Sequence, residues 1–453
     1  MNRQIFRRLI LPTDWNRFKV NAKRIRRFGH PDSSVLGIDF TAGIDVYAAL
    51  ACASIGKTPL LPRLTDICWS QRVDVEYSYI SIFLSPSIQK CTLNVTGKGN
   101  SATSIHQRLS LLPPLVSACP HMTHLSLYGL RRSPWQEVEK ALSALRQWSS
   151  LQLLELNGLP DASMLCIAKF PALRELVIEN PRETGEEYLP MHVKGFIKLE
   201  YLKIIYSSIQ LPAELISCMS RTPLQTLRLE FGRDPEEDEL LDLFMAMRRN
   251  ISQSSLRHLR IDYDLDKTDL VEEDRSITLK ALSPLLAFTN LSEVSIAVNY
   301  ELSLNKEDLR IVTSSWPHLQ TLELISFKPS QYWPRISIHD FTSFLGQCPL
   351  LENLAIAFDA SGLCLGTGKP GGGVCYEKIR ALGVLHSPID EPSQVAAFLS
   401  DIFPNLRDIR VFYSEELYVL DGSEELVQKW KEVERLVEIF SLVRAQEKMF
   451  HLN

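Results

Sequence analysis

A short pattern with a leucine-like residue at its first, fourth and sixth positions recurs thirteen times between Leu64 and Val411, and no other feature restricts the fold as tightly. Its first-position residues are Leu64, Ile88, Met122, Leu151, Leu173, Leu199, Leu224, Leu256, Leu291, Leu319, Leu351, Ile379 and Leu406. Twelve intervals span the 342 residues from 64 to 406, a period of about 28.5. Side chains alternate along a strand, so positions 4 and 6 share a face. Leu125 and Leu127, or Leu322 and Leu324, are expected to enter a core together.

Proline stands two residues before position 1 in seven repeats: Pro62, Pro86, Pro120, Pro171, Pro317, Pro349 and Pro404. With 25 prolines in 453 residues, chance would put about 0.7 there, so the placement is mechanical. Proline ends a helix and turns its neighbour to extended geometry. The segments between repeats read as helices. Ser133-Pro134 reads as an N-cap and first-turn proline before Trp135, Val138, Leu142, Leu145 and Trp148. Leu240, Leu241, Phe244, Met247 and Ile251 form a stripe after the acidic run Asp234 to Glu239. Ser337 and Asp340 resemble a capping box before Phe341, Phe344 and Leu345.

One strand and one helix per repeat of this length make an α/β leucine-rich-repeat solenoid. The common pattern also places Asn or Cys three residues after position 6, and only Asn299 does so. Thr96, Ser207, Asp264, Asp359, Ser387 and Ser414 put other short polar groups there, so the array of about thirteen repeats is expected to be irregular. The organisation expected is a basic, mostly helical cap region over 1–57, the repeat array over 58–415 and a C-terminal capping helix over 416–453. After Ser423, the residues Leu426, Trp430, Val433, Leu436, Val437 and Phe440 form the stripe of that helix.

Composition restricts the partners. The 453 residues, 45% hydrophobic and 23% charged, suffice for a large core, and a net charge of -5 provides no overall attraction to nucleic acid or an anionic membrane. Val46 to Gly56, the longest uncharged apolar stretch near the N-terminus, is well short of a membrane span. Nine scattered cysteines with no CxxC pair fit reduced thiols in the cytoplasm or nucleus. The first 27 residues hold nine basic groups and one acid, Asp14, which leaves -13 for the remainder. Ile5, Phe6, Leu9 and Ile10 beside Trp15, Phe18 and Ile25 read as a helical cap over the open end of the array; a nuclear address, an RNA-binding arm and an Arg-rich transit peptide are the alternatives.

The string Leu11-Pro12-Thr13-Asp14-Trp15-Asn16-Arg17-Phe18, then Ala22-Lys23-Arg24-Ile25-Arg26, followed by degenerate repeats opening with Cys-Pro-x-Leu, resembles F-box and leucine-rich-repeat proteins of mushroom-forming fungi. That resemblance spans nearly the whole chain. It implies a substrate-recognition receptor of an SCF-type ubiquitin ligase, with the repeats holding the substrate and an N-terminal F-box docking the adaptor. The F-box pattern, opening with Leu-Pro and closing near Cys-x-x-Trp, is not found here. Adaptor contact is therefore expected only if an F-box is supplied upstream. The alternative is a stand-alone leucine-rich-repeat scaffold without ligase contact.

Other motifs point to no chemistry. Gly366-Thr367-Gly368-Lys369-Pro370 suggests a phosphate loop, but that motif needs glycine where Leu363 stands and Ser or Thr where Pro370 stands, so 366–373 reads as a flexible insertion. His121 and His124 fall on opposite faces of a strand, unsuited to one metal. No GxSxG, HExxH or Cys/His spacing occurs. No catalytic residue, metal or cofactor is expected, and an enzyme with an unrecognised site is the remote alternative.

Positions 3, 5 and 7 are expected to face the concave side and read a protein partner. Three consecutive cations stand at position 5: Lys203, Arg228 and Arg260. Tyr201 and His258 share position 3, and Glu179, Glu230 and Asp262 share position 7. Two readings follow: a self-neutralised, solvated ladder, or a stripe that receives an acidic or phosphorylated partner segment through charge-assisted hydrogen bonds. The candidate partner-binding residues are Tyr201, Lys203, Arg228, Glu230, His258, Arg260 and Asp262.

Overall fold

A computed structural model describes residues 3–4, 8, 10–29, 41–53, 59–70, 77–96, 102–160, 163–181, 194–233, 235–263, 276–327, 334–366, 368–411 and 423–451. Of the residues invoked above, Ile5, Phe6, Leu9, Gly56, Asp234, Asp264, Thr367 and Ser414 lie outside these. The chain divides into two compact units, Met1–Ile205 with Cys218–Thr222, and Tyr206–Ser217 with Pro223–Asn453.

In the first unit, beside a small pair formed by Arg3–Gln4 and Thr41–Ala42, the strands of the array are β1 (Arg27–Phe28), β2 (Asp66–Trp69), β3 (Lys90–Asn94), β4 (His124–Tyr128), β5 (Leu153–Asn157), β6 (Glu175–Glu179) and β7 (Tyr201–Ser207), whose last two residues belong to the second. Each pairs in parallel with the next in sequence. In the second unit β8 (Thr226–Phe231), β9 (His258–Tyr263), β10 (Glu293–Val298), β11 (Thr321–Ser326), β12 (Asn353–Ala355), β13 (Ala381–Gly383) and β14 (Asp408–Arg410) do likewise. Parallel neighbours joined by helices and turns make this an α/β leucine-rich-repeat solenoid.

The registers follow the repeat position for position. Cys91, Leu125, Leu154, Leu176 and Leu202 stand side by side at position 4, and so do Leu227, Leu259, Val294, Leu322, Leu354, Leu382 and Ile409. All are buried. A backbone ladder fixes the register just before each strand. The position-2 carbonyl accepts two N–H groups from the following repeat: Gln89 O from Thr123 and His124, Arg257 O from Ser292 and Glu293. Strand β1 escapes the period because Ile25 and Phe28 keep positions 1 and 4 while the next repeat starts 39 residues on, at Leu64. Phe28 stacks on Phe83, with centroids 4.6 Å apart, and so joins the same core.

The prolines sit within a tight turn. The position-1 N–H of Leu319 donates to Trp316 O at 3.1 Å, and that of Leu406 to Phe403 O at 3.1 Å. Pro317 and Pro404 are then second in the turn, where their fixed φ fits. The residue that supplies the carbonyl, three before position 1, is a buried aromatic in several repeats: Trp148, Phe170 and Phe196 in the first unit, and Phe288, Trp316 and Phe403 in the second. The indoles reach back one repeat, Trp148 Nε1 to Cys119 O at 2.8 Å and Trp316 Nε1 to Leu285 O at 3.3 Å.

Helices join or flank the strands. Those used below are α1 (Pro12–Ala22), α2 (Trp135–Leu145), α3 (Glu237–Asn250), α4 (Pro392–Ile402) and α5 (Ser423–His451). The acidic start of α3 is a capping box, in which the Glu239 carboxylate accepts from Glu236 N at 2.9 Å. Ser337 and Asp340 also form the expected box. Ser133 departs from expectation. It caps nothing: its hydroxyl is buried without a partner among the described residues, and Pro134 rather than Ser133 immediately precedes α2. Gly129, at φ +87°, starts a 3-10 turn that has already bonded the Ser133 N–H to Leu130 O, and this draws Ser133 inward.

The glycine-rich stretch forms turns where other repeats have a helix, and it is held in place. Gly371 N donates to Asp401 Oδ2 at 2.8 Å and Leu365 N to Gln394 Oε1 at 3.1 Å, both acceptors on α4. Along α5, Val427, Trp430, Val433 and Val437 are buried. Trp430 Nε1 donates to Ser387 O at 2.8 Å, and Arg444 donates to Ala397 O at 2.9 Å and to Ser400 Oγ.

Candidate functional site

On β8 and β9 the inward residues Leu227, Leu229, Leu259 and Ile261 are at most 2% exposed, so the outward ones project from a fixed base. The register places Thr226 beside His258, Arg228 beside Arg260 and Glu230 beside Asp262. Arg228 and Arg260 are both exposed. Neighbouring strands are about 4.8 Å apart, so two guanidinium groups stand abreast at an energetic cost. Arg260 is partly relieved: its Nε donates to Asp262 Oδ2 at 2.6 Å. That hydrogen bond first, then the charges of Asp262, Glu323 and Glu293, strengthens its hold on its proton. With side chains 46% and 31% exposed, the pair is worth at most about 1 kcal/mol, little enough for a ligand to compete with it. Arg228 has no ion-pair partner among the described residues. His258 Nδ1 lies 3.2 Å from Thr226 Oγ1, and its other ring nitrogen is unpartnered among the described residues.

Tyr201 and Lys203 lie on β7 in the first unit, both half-buried, in register with Glu175 and Val177. In that unit Glu179 accepts from Asn157 Nδ2 at 3.2 Å, and Glu155 from Ser126 Oγ at 2.7 Å.

The outward positions are not all open. In the second unit Ala297, Ile325 and Leu385 at position 7 and Ala355 at position 5 are only 4%, 6%, 1% and 2% exposed, packed together with Phe327 and Ala357. The expectation that positions 3, 5 and 7 all present a reading surface is corrected here: from β10 to β13 these apolar side chains bury one another. Sequence reasoning also passed over Arg410, whose Nη1 comes within 3.9 Å of Glu323 Oε1 two strands beyond its neighbour, because Gly383 and Ala355 between them are small. Ser295 Oγ donates to the same Glu323 at 2.9 Å. Beside the apolar patch, a crevice lined by Leu324, Ile356, Ala357, Arg335 and Glu301 holds His386, whose imidazole burial pushes down to about 4.

Residues 12–22 form α1, where Asp14 accepts from Leu11 N at 2.9 Å and from Arg8 at 2.8 Å. These bonds, Arg8 foremost, hold its carboxyl at about 2. All nine cysteines are free thiols. His124, half-buried, lies 2.8 Å from Thr123 Oγ1, and no group of three or more metal-ligating side chains converges among the described residues. No helix among them is long and apolar enough to cross a membrane.

No family model and no curated protein matches the sequence. Among solved structures, an internalin from Listeria monocytogenes is 13% identical with a TM-score of 0.41, over 82% of this chain and 96% of that one. A leucine-rich-repeat protein of Leptospira interrogans is 15% identical with a TM-score of 0.39, over 88% and 80%. The yeast Rad7 and Elc1 complex contains a chain 16% identical with a TM-score of 0.34, over 77% and 90%. At such values none of the three bears on what this chain does.

Proposed function

We propose that this chain is a protein-binding module that receives an acidic or phosphorylated segment of a partner on the open face of β8 and β9. The observation that carries the reading is the pairing of Arg228 with Arg260 in register, both exposed, with an ion-pair partner found for Arg260 alone among the described residues. Like charges abreast destabilise a sheet, and a bound carboxylate or phosphate removes that cost while gaining charge-assisted hydrogen bonds. Arg228 is the primary anchor, the Arg260 nitrogens not engaged by Asp262 the second, and His258 a flanking donor. Glu230 and Asp262, abreast at position 7, repel a second anion and set the direction of the segment. Tyr201 and Lys203, in the first unit, occupy positions 3 and 5 of β7.

The likeness of residues 11–26 to F-box and leucine-rich-repeat proteins supports a finer reading, a substrate receptor for a ubiquitin ligase. Nine free thiols support placing it in the cytoplasm or nucleus. A peptide array of acidic, phosphorylated and basic sequences tests the site. The wild type should retain acidic and phosphorylated members with an affinity that falls as salt rises, and the Arg228→Ala/Arg260→Ala variant should lose both the binding and the salt dependence. Equal binding by the double variant at low and physiological salt would remove these strands as the reading surface. Co-purification of the ligase adaptor with the intact protein separates a receptor from a stand-alone scaffold.

A further inference from the structure

Among the described residues the strands of the second unit end at β14, and no further strand pairs with its outer edge. Gln320 O accepts from Glu352 and Asn353, and Arg380 O from Arg407 and Asp408, but the equivalent Arg407 carbonyl accepts from no further repeat among the described residues. A groove of about 820 Å³ runs along this edge, walled by Leu406, Arg407 and Ile409 on one side and by α5 on the other. Leu442, on its helical wall, is 60% exposed, and Ile439 and Val443 beside it are 41% and 45% exposed. Ser441 Oγ, also on that wall, is buried without a partner among the described residues.

The charges on the helical wall are Lys431, Glu434, Arg435 and Glu438. Within a single helix their order is mixed: like charges recur four residues apart, Lys431 with Arg435 and Glu434 with Glu438, and opposite charges three apart, Lys431 with Glu434 and Arg435 with Glu438. Only Arg435 has an intrahelical partner, Glu432 at 2.6 Å; Lys431, Glu434 and Glu438 have no ion pair among the described residues. The same order is self-complementary when reversed. An antiparallel copy turned about the point between residues 434 and 435 brings Lys431 against Glu438 and Glu434 against Arg435, and the two-fold axis repeats both contacts.

We propose that this groove is a homodimer interface, occupied by α5 of a second copy lying antiparallel to the first. The contact is isologous, each helix covering the groove and the Leu442 side chain of the other chain, and the four reversed charge pairs fix its register. Light scattering on the intact protein after size exclusion tests this. The wild type should show a dimer that dissociates on dilution, and both Lys431→Glu/Arg435→Glu and Glu434→Lys/Glu438→Lys should be monomers with unchanged thermal unfolding of the remaining fold. An equimolar mixture of the two variants should restore a dimer, since an all-acidic helix then meets an all-basic one. A wild type that stays monomeric at every attainable concentration overturns the proposal, as do variants that remain dimeric or a mixture that stays monomeric. A monomer whose Leu442→Cys variant crosslinks to a foreign protein would give the groove another occupant and equally overturn it.

Discussion

Two halves of one face, within one unit, occupy the same repeat positions and behave in opposite ways. On β8 and β9 the outward residues are Arg228, Glu230, Arg260 and Asp262, with both arginines exposed. From β10 to β13 the outward residues Ala297, Ile325, Ala355 and Leu385 are buried. Strand alternation decides which way a side chain points. Whether water reaches it depends on what its neighbours on adjacent strands are, and those neighbours are about a repeat away in sequence.

The largest effect that could break this contrast comes from a charge in the apolar half. Ile325→Asp should unfold the second unit or cost it more than about 4 kcal/mol, since an unpaired carboxylate would enter a dry patch. Chemical denaturation with the wild type as reference measures it, and a soluble variant of unchanged stability would show that half to be open to solvent.

An effect of intermediate size concerns His386, at the edge of the same half. Its folded pKa is depressed to about 4 by burial, so the folded state resists protonation that the unfolded chain accepts near its ordinary value. The resulting stability is complete above the unfolded pKa and is lost as pH falls from there towards 4, by at most about 3 kcal/mol. The denaturation midpoint of the wild type should fall relative to that of His386→Gln as pH falls across that window. Parallel curves would mean that the imidazole is solvated.

The smallest effect belongs to the solvated half. Arg228→Ala should leave stability unchanged or raise it by less than about 1 kcal/mol, because it removes a like-charge neighbour of Arg260 and no partner among the described residues. A loss larger than that would show Arg228 to be holding the sheet together rather than awaiting a ligand.

The sequence by itself determined the strands and their facing. Leucine-like residues at positions 1, 4 and 6 fix a period, and a parallel array in which each strand must bury the same face leaves one register, so position 5 of one strand meets position 5 of the next from Arg228 to Arg410. The aromatic three residues before position 1 was partly legible: Trp148 stood in a helical stripe, but its backbone role at the turn needed the carbonyl of a neighbouring repeat to be located. Only the tertiary structure decided that Ser133 turns inward, that Arg410 reaches Glu323 over two small residues, and that Asp262 engages Arg260. Each of these depends on side-chain volume and hydrogen-bond geometry between groups that periodicity treats as equivalent, and a period has no information about volume.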